Sequence, residues 1–338
     1  MKSALFLGKD SLSLMDTDIP SIKNGELLLK VKAVGVCPTD VKAFYNGSSS
    51  ISTPRVLGHE VSGIIEDSKT DKFKPGDRVN VAADNPCMLC DRCLRGLHNL
   101  CRNITSLGVN IDGGYAEYMR VPKEFVQNNM VVKLNEDVSF IEGTFIEPVA
   151  VSLNALSLTN PRDMDKAVII GDGPNAMIHL QLLKRYFKLK NVVVLGMLPH
   201  RLDLANELGA DRTIDVTKSN IVEILRKDYD IIDITIGNSK ALEQAMLLTE
   251  AGTRIAIFGG SLNDSSIPIT MNKVHYNQIT VTGSTGTNIP NYMEATRIVN
   301  SKLLDLKRLV SETFTIERIW EAFSYSKDMK GIKGAIIY

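Results

Sequence analysis

The sequence predicts an α/β protein in which a β-rich domain precedes a doubly wound parallel-sheet domain, and a change of pattern along the chain carries this prediction. Residues 1–150 contain short apolar runs separated by Gly, Pro, Asn and Asp, which is typical of a strand-rich fold. From Lys166 onward, β-branched runs alternate with segments of helical periodicity. Strands that alternate with helices indicate a parallel sheet covered on both faces.

The first part contains four strand candidates, namely GELLLKVKAVGV, HEVSGIIED, DRVNVAAD and YAEYMRV. After about residue 285 come two amphipathic segments, 292–304 and 316–326, and a final strand, GAIIY. We expect this C-terminal segment to complete the first domain. The predicted domains are therefore 1–150 with 285–338, and 151–284 as an insertion between them.

The second part begins with the strand AVIIG, after which Pro174 stands at a favoured first helical position. The helix PHRLDLANEL follows the strand NVVVLG and ends at Gly209, a residue type that favours a left-handed cap. DIIDITIG, a helix over 241–249, TRIAIFGG and QITVTGS continue the alternation. QITVTGS is a candidate edge strand, and such edges often pair across a two-fold axis, so we expect a homodimer or homotetramer.

Composition excludes several classes of protein. The chain has 39 basic and 39 acidic side chains, which argues against binding to nucleic acid or to a membrane surface. Its longest apolar stretch, 192–198, is far shorter than the roughly 20 residues of a spanning helix. No secretion signal is evident, and five cysteines, an odd number, do not suggest a disulfide framework. We expect a soluble cytoplasmic protein.

Four of the five cysteines fall within one short lobe, at about 85–103, with the spacing Cys87-x2-Cys90-x2-Cys93-x7-Cys101. Four thiolates can surround a tetrahedral zinc ion and leave no open position for a substrate, which predicts a structural site. Free thiols or a redox pair would be the ordinary alternative. Iron also accepts four thiolates, but nothing else in the sequence suggests electron transfer between clusters.

A second set of metal-binding residue types is spread over the first domain. Cys37 follows a strand in VGVCPTD, His59 and Glu60 stand in GHE, and Glu147 stands in FIEPVAVSL. A thiolate, an imidazole and one or two carboxylates are ligands that catalytic zinc accepts. Each residue also has an ordinary explanation: a buried thiol, a hydrogen-bonded imidazole and a helix N-terminal acid.

The motifs GVCPTD, GHEVSG, KPGDRV, the cysteine lobe, DGGYAEY and IEPVAVSLNAL together resemble the zinc-dependent medium-chain dehydrogenases along the whole chain. The chain is most similar to the polyol branch, with sorbitol, galactitol 1-phosphate and threonine dehydrogenases. The resemblance implies a GroES-like catalytic domain, a Rossmann cofactor domain, and two zinc ions per chain. It also implies a hydride transfer between a secondary alcohol of a polyol, sugar or sugar phosphate and NAD(P).

The resemblance assigns roles to the residues of the second set. Cys37, His59 and Glu60 would bind the catalytic zinc, with Glu147 either a fourth ligand or hydrogen-bonded to the metal-bound water. Asp40 would orient His59, the usual way in which an imidazole ligand is fixed. Thr39 would accept the substrate proton, although a turn residue that bonds its own backbone is an equal explanation.

A glycine-containing loop, Gly171-Asp172-Gly173-Pro174-Asn175-Ala176, follows the strand AVII and precedes a helix. In this context Gly171 allows a tight turn, Gly173 lets the backbone approach a pyrophosphate, and Ala176 replaces the third glycine of the dinucleotide fingerprint. The helix N-terminus supplies amide hydrogens and a positive dipole end. The loop predicts a nicotinamide dinucleotide site.

Asp172 and Gly196 depart from the family pattern. Asp172 places a carboxylate beside the expected pyrophosphate, and Gly196 stands where NAD enzymes usually carry an acid. Without that acid the pocket tolerates a 2′-phosphate, and His200 and Arg201 are close enough in sequence to meet one. An arginine near this position also occurs in NAD-using relatives. These residues favour NADP over NAD. Asp172 and Gly196 also leave two alternatives to catalysis open, a ligand-binding or regulatory protein and an α/β domain that binds no nucleotide. A zinc-free quinone-type reductase fits the metal motifs poorly.

Overall fold

A computed structural model describes residues 1–218, 221–225, 227–260, 266 and 269–338. These residues form two compact units. The first unit comprises Met1–Ala150, Gly286–Lys302 and Leu306–Tyr338. The second comprises Val151–Thr285 and Leu303–Asp305. The α/β class predicted from the sequence is confirmed, because the first unit is rich in antiparallel strands and the second contains a parallel sheet.

The strands are short and run through both units. In chain order they are β1 (Lys2–Gly8), β2 (Ser11–Asp16), β3 (Leu27–Gly35), β4 (Arg55–Val56), β5 (Val61–Ser68), β6 (Arg78–Val81), β7 (Asp84–Asn85), β8 (Thr105–Ser106), β9 (Tyr118–Val121), β10 (Val131–Lys133), β11 (Lys166–Ile170), β12 (Asn191–Gly196), β13 (Arg212–Asp215), β14 (Ile231–Ile234), β15 (Arg254–Ile257), β16 (Thr280–Gly283), β17 (Val310–Phe314) and β18 (Lys333–Ile337).

The helices are also short, and most of them are shorter than three turns. In chain order they are α1 (Pro38–Asn46), α2 (Asp91–Leu94), α3 (Lys123–Gln127), α4 (Phe140–Gly143), α5 (Ile146–Ser157), α6 (Pro174–Gln181), α7 (Pro199–Leu208), α8 (Ile221–Ile224), α9 (Ser239–Leu248), α10 (Met271–Tyr276), α11 (Ile289–Asn300) and α12 (Ile319–Lys327). Within the described part of the chain, no helix has the length and apolar character needed to cross a membrane.

The main sheet of the first unit has the strand order β10-β6-β5-β3-β18-β17, and β9 also pairs with β3. β3 lies at its centre, and its residues alternate between buried and partly buried over most of its length, as expected for a strand between two faces. The last strand, β18, pairs antiparallel with β3, with Ala335 opposite Gly35. The C-terminal segment therefore contributes a strand to the same sheet as the N-terminal residues.

The second unit is built on six parallel strands in the order β13-β12-β11-β14-β15-β16. The order reverses between β12 and β14 around β11, which is the arrangement of a doubly wound sheet and marks the edge where ligands bind. A core of β-branched and aliphatic side chains covers the sheet, including Val168, Val193 and Ile232. β16 is the last strand on its side of this sheet.

Local sequence signals account for the helices that flank β12. α6 begins at Pro174, and α7 begins at Pro199 and ends at Gly209, whose φ of 109° is left-handed. Pro at the first position and Gly after the last are the expected helix boundaries. The structure adds a π-helical turn over Leu182–Tyr186, which the periodicity did not predict. α6 is buried on nearly all sides, so its polar His179 and Gln181 are buried as well.

Candidate active site

Two strand ends meet at one end of the main sheet of the first unit. β3 and β5 are antiparallel neighbours with Val34 opposite Val61, so the end of β3 lies beside the start of β5. Cys37 comes two residues after β3, and His59 and Glu60 come directly before β5. The backbone N–H of Gly35 donates a 2.9 Å hydrogen bond to the carbonyl oxygen of Glu60. The sheet register therefore brings together residues that are 22 positions apart in the sequence.

The side chains of Cys37, His59 and Glu60 converge, with one potential ligand atom from each lying within 4.8 Å of the others. Nδ1 of His59 lies 3.4 Å from Oδ1 of Asp40, which leaves Nε2 as the ring atom available to a metal. The hydroxyl of Tyr115 donates a 3.0 Å hydrogen bond to the other oxygen of Asp40. A ring fixed through its second nitrogen is the usual arrangement of a metal-binding histidine.

The charges of this cluster suit a cation. Burial disfavours protonation of His59, but the negative groups of Asp40 and Cys37 outweigh it and raise the pKa of His59 well above its ordinary value. Burial and the same acidic neighbours, together with Glu60, raise the pKa of Tyr115 well above 10. A site that draws a proton onto a buried imidazole also attracts a metal ion, and a thiolate, an imidazole and a carboxylate are donors that zinc accepts. The residues present therefore fit a zinc ion.

Lys333, at the start of β18, joins the cluster from the C-terminal strand. Its Nζ lies 2.9 Å from Oε1 and 2.7 Å from Oε2 of Glu60, and 3.3 Å from the carbonyl oxygen of Val36. Both charged side chains are buried. Burial alone would lower the pKa of Lys333, but the negative charges of Glu60 and Cys37 raise it, so the lysine stays protonated. The ammonium thus offsets the carboxylate charge of Glu60.

Glu147 and Thr39 lie outside the set of converging ligand atoms. Glu147 stands in the first turn of α5, and burial raises its pKa to about 7, with the charges of His59 and Glu60 acting on it in opposite directions. Its carboxylate is not among the atoms within 4.8 Å of one another. Thr39 lies in the first turn of α1 and is exposed. Their predicted roles stay predictions.

The four cysteines of the lobe also converge. The sulfur of Cys93 lies 3.6 Å from that of Cys90 and 4.0 Å from that of Cys87, and the sulfurs of Cys90 and Cys101 are 4.0 Å apart. A tetrahedron with sulfur at about 2.3 Å from its centre has edges of about 3.8 Å. The observed sulfur positions therefore match four ligands of one zinc ion.

Backbone amides around the lobe stabilise thiolates. The backbone N–H groups of Arg102 and Cys93 lower the pKa of Cys90 to about 6, and those of Leu89 and Cys90 lower the pKa of Cys87. Burial and the neighbouring sulfurs raise the pKa of Cys93 to about 12. Several thiolates at these distances repel one another unless a cation lies among them, so the electrostatics of the lobe also suit a metal ion.

The predicted dinucleotide loop connects β11 to α6 in the second unit. Gly171 has a φ of 132°, and a Cβ there would lie 2.3 Å from Oγ1 of Thr235, so only glycine fits. Gly173 caps α6, and a Cβ on it would contact no atom within 4 Å. Packing within the protein therefore does not require a glycine at residue 173. The missing side chain leaves the N-terminus of α6 accessible to an anionic ligand. Pro174 and Asn175 begin the helix, and Ala176 is buried.

The carboxylate of Asp172 points away from the N-terminus of α6. It accepts hydrogen bonds from the backbone N–H groups of Met197 and Leu198 at the end of β12, beside Gly196. Arg201 is buried in the first turn of α7 near the same carboxylate. The repulsion of a pyrophosphate that the sequence suggested is therefore absent from this arrangement.

Comparison with known families identifies the fold. Residues 23–134 match the family model "Alcohol dehydrogenase GroES-like domain", and residues 176–301 match "Zinc-binding dehydrogenase". The chain belongs to the zinc-dependent medium-chain dehydrogenase family. This dehydrogenase therefore combines a GroES-like unit and a Rossmann-type unit, and the family and fold predicted from its motifs are confirmed. It is an oxidoreductase that uses a nicotinamide cofactor.

Three relatives illustrate the similarity of this dehydrogenase to known proteins. Sorbitol dehydrogenase of Bacillus subtilis is 27% identical over 98% of the chain and 94% of its own length. An Escherichia coli CFT073 alcohol dehydrogenase, rspB, solved with NADH, is 26% identical, with a TM-score of 0.89 over 100% and 99% of the two chains. A Sinorhizobium meliloti 1021 zinc-binding dehydrogenase bound to NADP shares the fold at 24% identity, with a TM-score of 0.93 over 100% and 99%.

Two residues that contact the candidate metal site were not predicted from the sequence. Lys333 is 273 residues away from Glu60, and Tyr115 is 75 residues away from Asp40. For Lys333, the only local indication of a role was that a lysine begins the otherwise apolar strand KGAII. Tyr115 belongs to the DGGYAEY motif, which pointed to the family without giving the tyrosine a role.

Proposed function

We propose that this protein oxidises a secondary alcohol of a polyol, sugar or sugar phosphate with NAD(P)+, or reduces the corresponding ketone with NAD(P)H. The observation that supports this most directly is the convergence of Cys37, His59 and Glu60. Similarity to a sorbitol dehydrogenase over nearly the whole chain supports the substrate class. The proposal includes two zinc ions per chain, a catalytic one at Cys37, His59 and Glu60 and a structural one at the four cysteines of the lobe.

Zinc would supply a Lewis acid for the alcohol oxygen, and the nicotinamide ring would accept the hydride. The residues of the chain would prepare the site for this chemistry. Asp40 orients the imidazole of His59, and Tyr115 holds Asp40 in turn. Lys333 offsets the charge of Glu60, so that mainly the Cys37 thiolate would oppose the two positive charges of the metal. Thr39 remains the proposed acceptor of the hydroxyl proton, and Glu147 a proposed additional ligand.

The alternative of a catalytically inactive binding or regulatory protein has lost its main argument. It depended on Asp172 and Gly196, two residues that fitted a dinucleotide loop poorly. The contacts of Asp172 with Met197 and Leu198 turn its charge away from α6 and make both residues compatible with cofactor binding.

A metal count and a substrate panel would test the proposed function. We expect two zinc ions per chain by elemental analysis, and NAD(P)H formation with at least one polyol or sugar in an absorbance assay. Cys37→Ser and His59→Ala should each retain one zinc and lose turnover. His275→Ala removes an exposed imidazole and serves as the matched control. Nucleotide binding and two zinc ions without turnover on any alcohol would instead favour the regulatory alternative.

We also propose that the enzyme is a homodimer or homotetramer. β16 lies at the end of the described six-stranded sheet, and a second copy can extend such a sheet across a two-fold axis. Sedimentation velocity of the purified protein would test this, and a monomer at micromolar concentration would refute it.

We further propose a cytoplasmic location. All five cysteine thiols are free, and the lobe needs four of them reduced in order to bind zinc. Fractionation of cells that express the full-length protein would test this, and recovery of the protein in an oxidising compartment would contradict it.

A further inference from the structure

Asp172 makes an unusual set of contacts for a residue between the two glycines of a dinucleotide loop. Its Oδ2 accepts hydrogen bonds from the backbone N–H groups of Met197, at 2.7 Å, and Leu198, at 2.9 Å. Its Oδ1 lies 3.7 Å from a guanidinium nitrogen of Arg201. Asp172 and Arg201 are both more than nine-tenths buried. The carboxylate of Asp172 is thus held at the end of β12, which is the second strand of the parallel sheet in chain order.

Gly196 leaves the space that the carboxylate of Asp172 occupies. A Cβ on Gly196 would lie 2.6 Å from Cβ and 2.7 Å from Oδ2 of Asp172, and 2.8 Å from Cδ2 of Leu202. A side chain at residue 196 would therefore collide with the carboxylate. The carboxylate of Asp172 therefore lies where a side chain on residue 196 would need space, and it brings a negative charge from the neighbouring loop to the end of β12.

The surroundings of this carboxylate are those of an anion site. Met197 and Leu198 immediately precede α7, a ten-residue helix, and their amides lie at its positive end. Arg201 adds a full positive charge in the first turn. In a doubly wound dinucleotide fold, the end of the second strand receives the ribose of adenosine, where an acid accepts from the 2′-hydroxyl or an arginine meets a 2′-phosphate. In this chain the amides and the arginine already face a carboxylate.

A 2′-hydroxyl and a 2′-phosphate would meet different conditions here. A hydroxyl can donate a hydrogen bond to a carboxylate and brings no charge. A phosphate monoester brings a charge of about −1.5 to −2 and would find Met197, Leu198 and Arg201 already engaged by Asp172. Like charges placed side by side in a buried site are strongly unfavourable and give specificity by exclusion.

We propose that Asp172 selects NAD over NADP, acting from the glycine loop in place of an acid at the end of β12. This inference rests on the proposed dehydrogenase function, because it concerns the cofactor of that reaction. It reverses the preference for NADP predicted from Gly196 and Arg201 alone. The reversal follows from the direction of the Asp172 side chain, which the sequence does not reveal.

Binding of NADH and NADPH, followed by nicotinamide fluorescence in the absence of substrate, tests this proposal. We expect the wild-type protein to bind NADH at least about tenfold more tightly than NADPH. Asp172→Asn keeps the size and one acceptor oxygen but removes the charge, and it should tighten NADPH binding by about tenfold while weakening NADH binding. Asp163→Asn removes an exposed acid of the same unit and should leave the ratio unchanged.

Moving the acid from residue 172 to residue 196 gives a second test. Asp172→Gly alone should lose the preference for NADH, and Asp172→Gly combined with Gly196→Asp should restore it. This pair keeps the proposal testable if Asp172→Asn does not fold, as judged by circular dichroism. Equal binding of the two nucleotides by the wild type, or an unchanged ratio in Asp172→Asn, would overturn this inference and leave the dehydrogenase function intact. Failure of the wild type to bind either nucleotide would overturn both.

Discussion

The ammonium nitrogen of Lys333 lies 2.7 Å from Oε2 of Glu60, and both side chains are buried. In the metal-free protein, Lys333→Met should therefore leave the buried carboxylate of Glu60 without this partner. We expect the free energy of unfolding in urea to fall by about 3–5 kcal/mol, as for other buried ion pairs that lose one member. Lys333→Arg keeps the charge and should lose less, and Lys42→Met, at an exposed position, should change stability by no more than about 0.5 kcal/mol.

A double substitution distinguishes the contribution of the ion pair to stability from the contribution of side-chain packing at Lys333. Glu60→Gln combined with Lys333→Met removes both charges and should recover part of the lost stability, since neither partner is left charged and alone. A Lys333→Met protein as stable as the wild type would show that the pair contributes nothing to the fold.

Asp40 should affect metal affinity through His59. Asp40→Asn removes the charge beside Nδ1 of His59, and we expect the catalytic zinc to bind about 10–100-fold more weakly. Competition with a chromogenic chelator measures the zinc affinity and should show two steps of zinc release, one for each proposed zinc site. The step that is absent from Cys37→Ser belongs to the site at Cys37, His59 and Glu60. Asp10→Asn, at an exposed position, is the control. Unchanged affinity in Asp40→Asn would argue that the imidazole is fixed by other contacts.

The cysteines of the lobe should differ in reactivity once zinc is removed. The thiolate is the reactive form, so Cys90, with a pKa of about 6, should be alkylated first by iodoacetamide at pH 7. Cys93, with a pKa of about 12, should react last. Peptide mass spectrometry after short exposures gives the order, and zinc-loaded protein should be protected at all four positions. Equal rates for Cys90 and Cys93 would contradict the described environment of the lobe.

His179 and Asp233 form a second buried pair, in the second unit. Nδ1 of His179 lies 2.6 Å from Oδ2 of Asp233, and neither side chain is exposed to solvent. His179→Leu should lower the free energy of unfolding by about 3–5 kcal/mol, because it leaves the Asp233 carboxylate buried without this partner. Adding Asp233→Leu should restore part of the loss. Urea unfolding followed by circular dichroism measures both changes, and strictly additive losses would show that the two residues do not interact.

The sequence by itself determined the fold class, the family and most residues of the two candidate metal sites. Strand and helix periodicity are local properties of the sequence. The four closely spaced cysteines, Cys87, Cys90, Cys93 and Cys101, likewise predict a zinc site from one short segment. The motifs around Cys37 and His59 likewise lie at strand ends that the apolar pattern already marks. Each of these signals is complete within a short segment, so no knowledge of the folded chain was needed to find them.

Only the tertiary structure decided which distant side chains meet and where they point. Lys333 reaches Glu60, and His179 reaches Asp233, through strand register and helix packing between segments far apart in the sequence. The sequence gives the identity of Asp172 but not the direction of its side chain, and the contacts of that side chain are the basis of the proposed preference for NAD. The physical reason is that hydrogen bonding and burial depend on three-dimensional neighbours, whereas periodicity and motif spacing depend on neighbours along the chain.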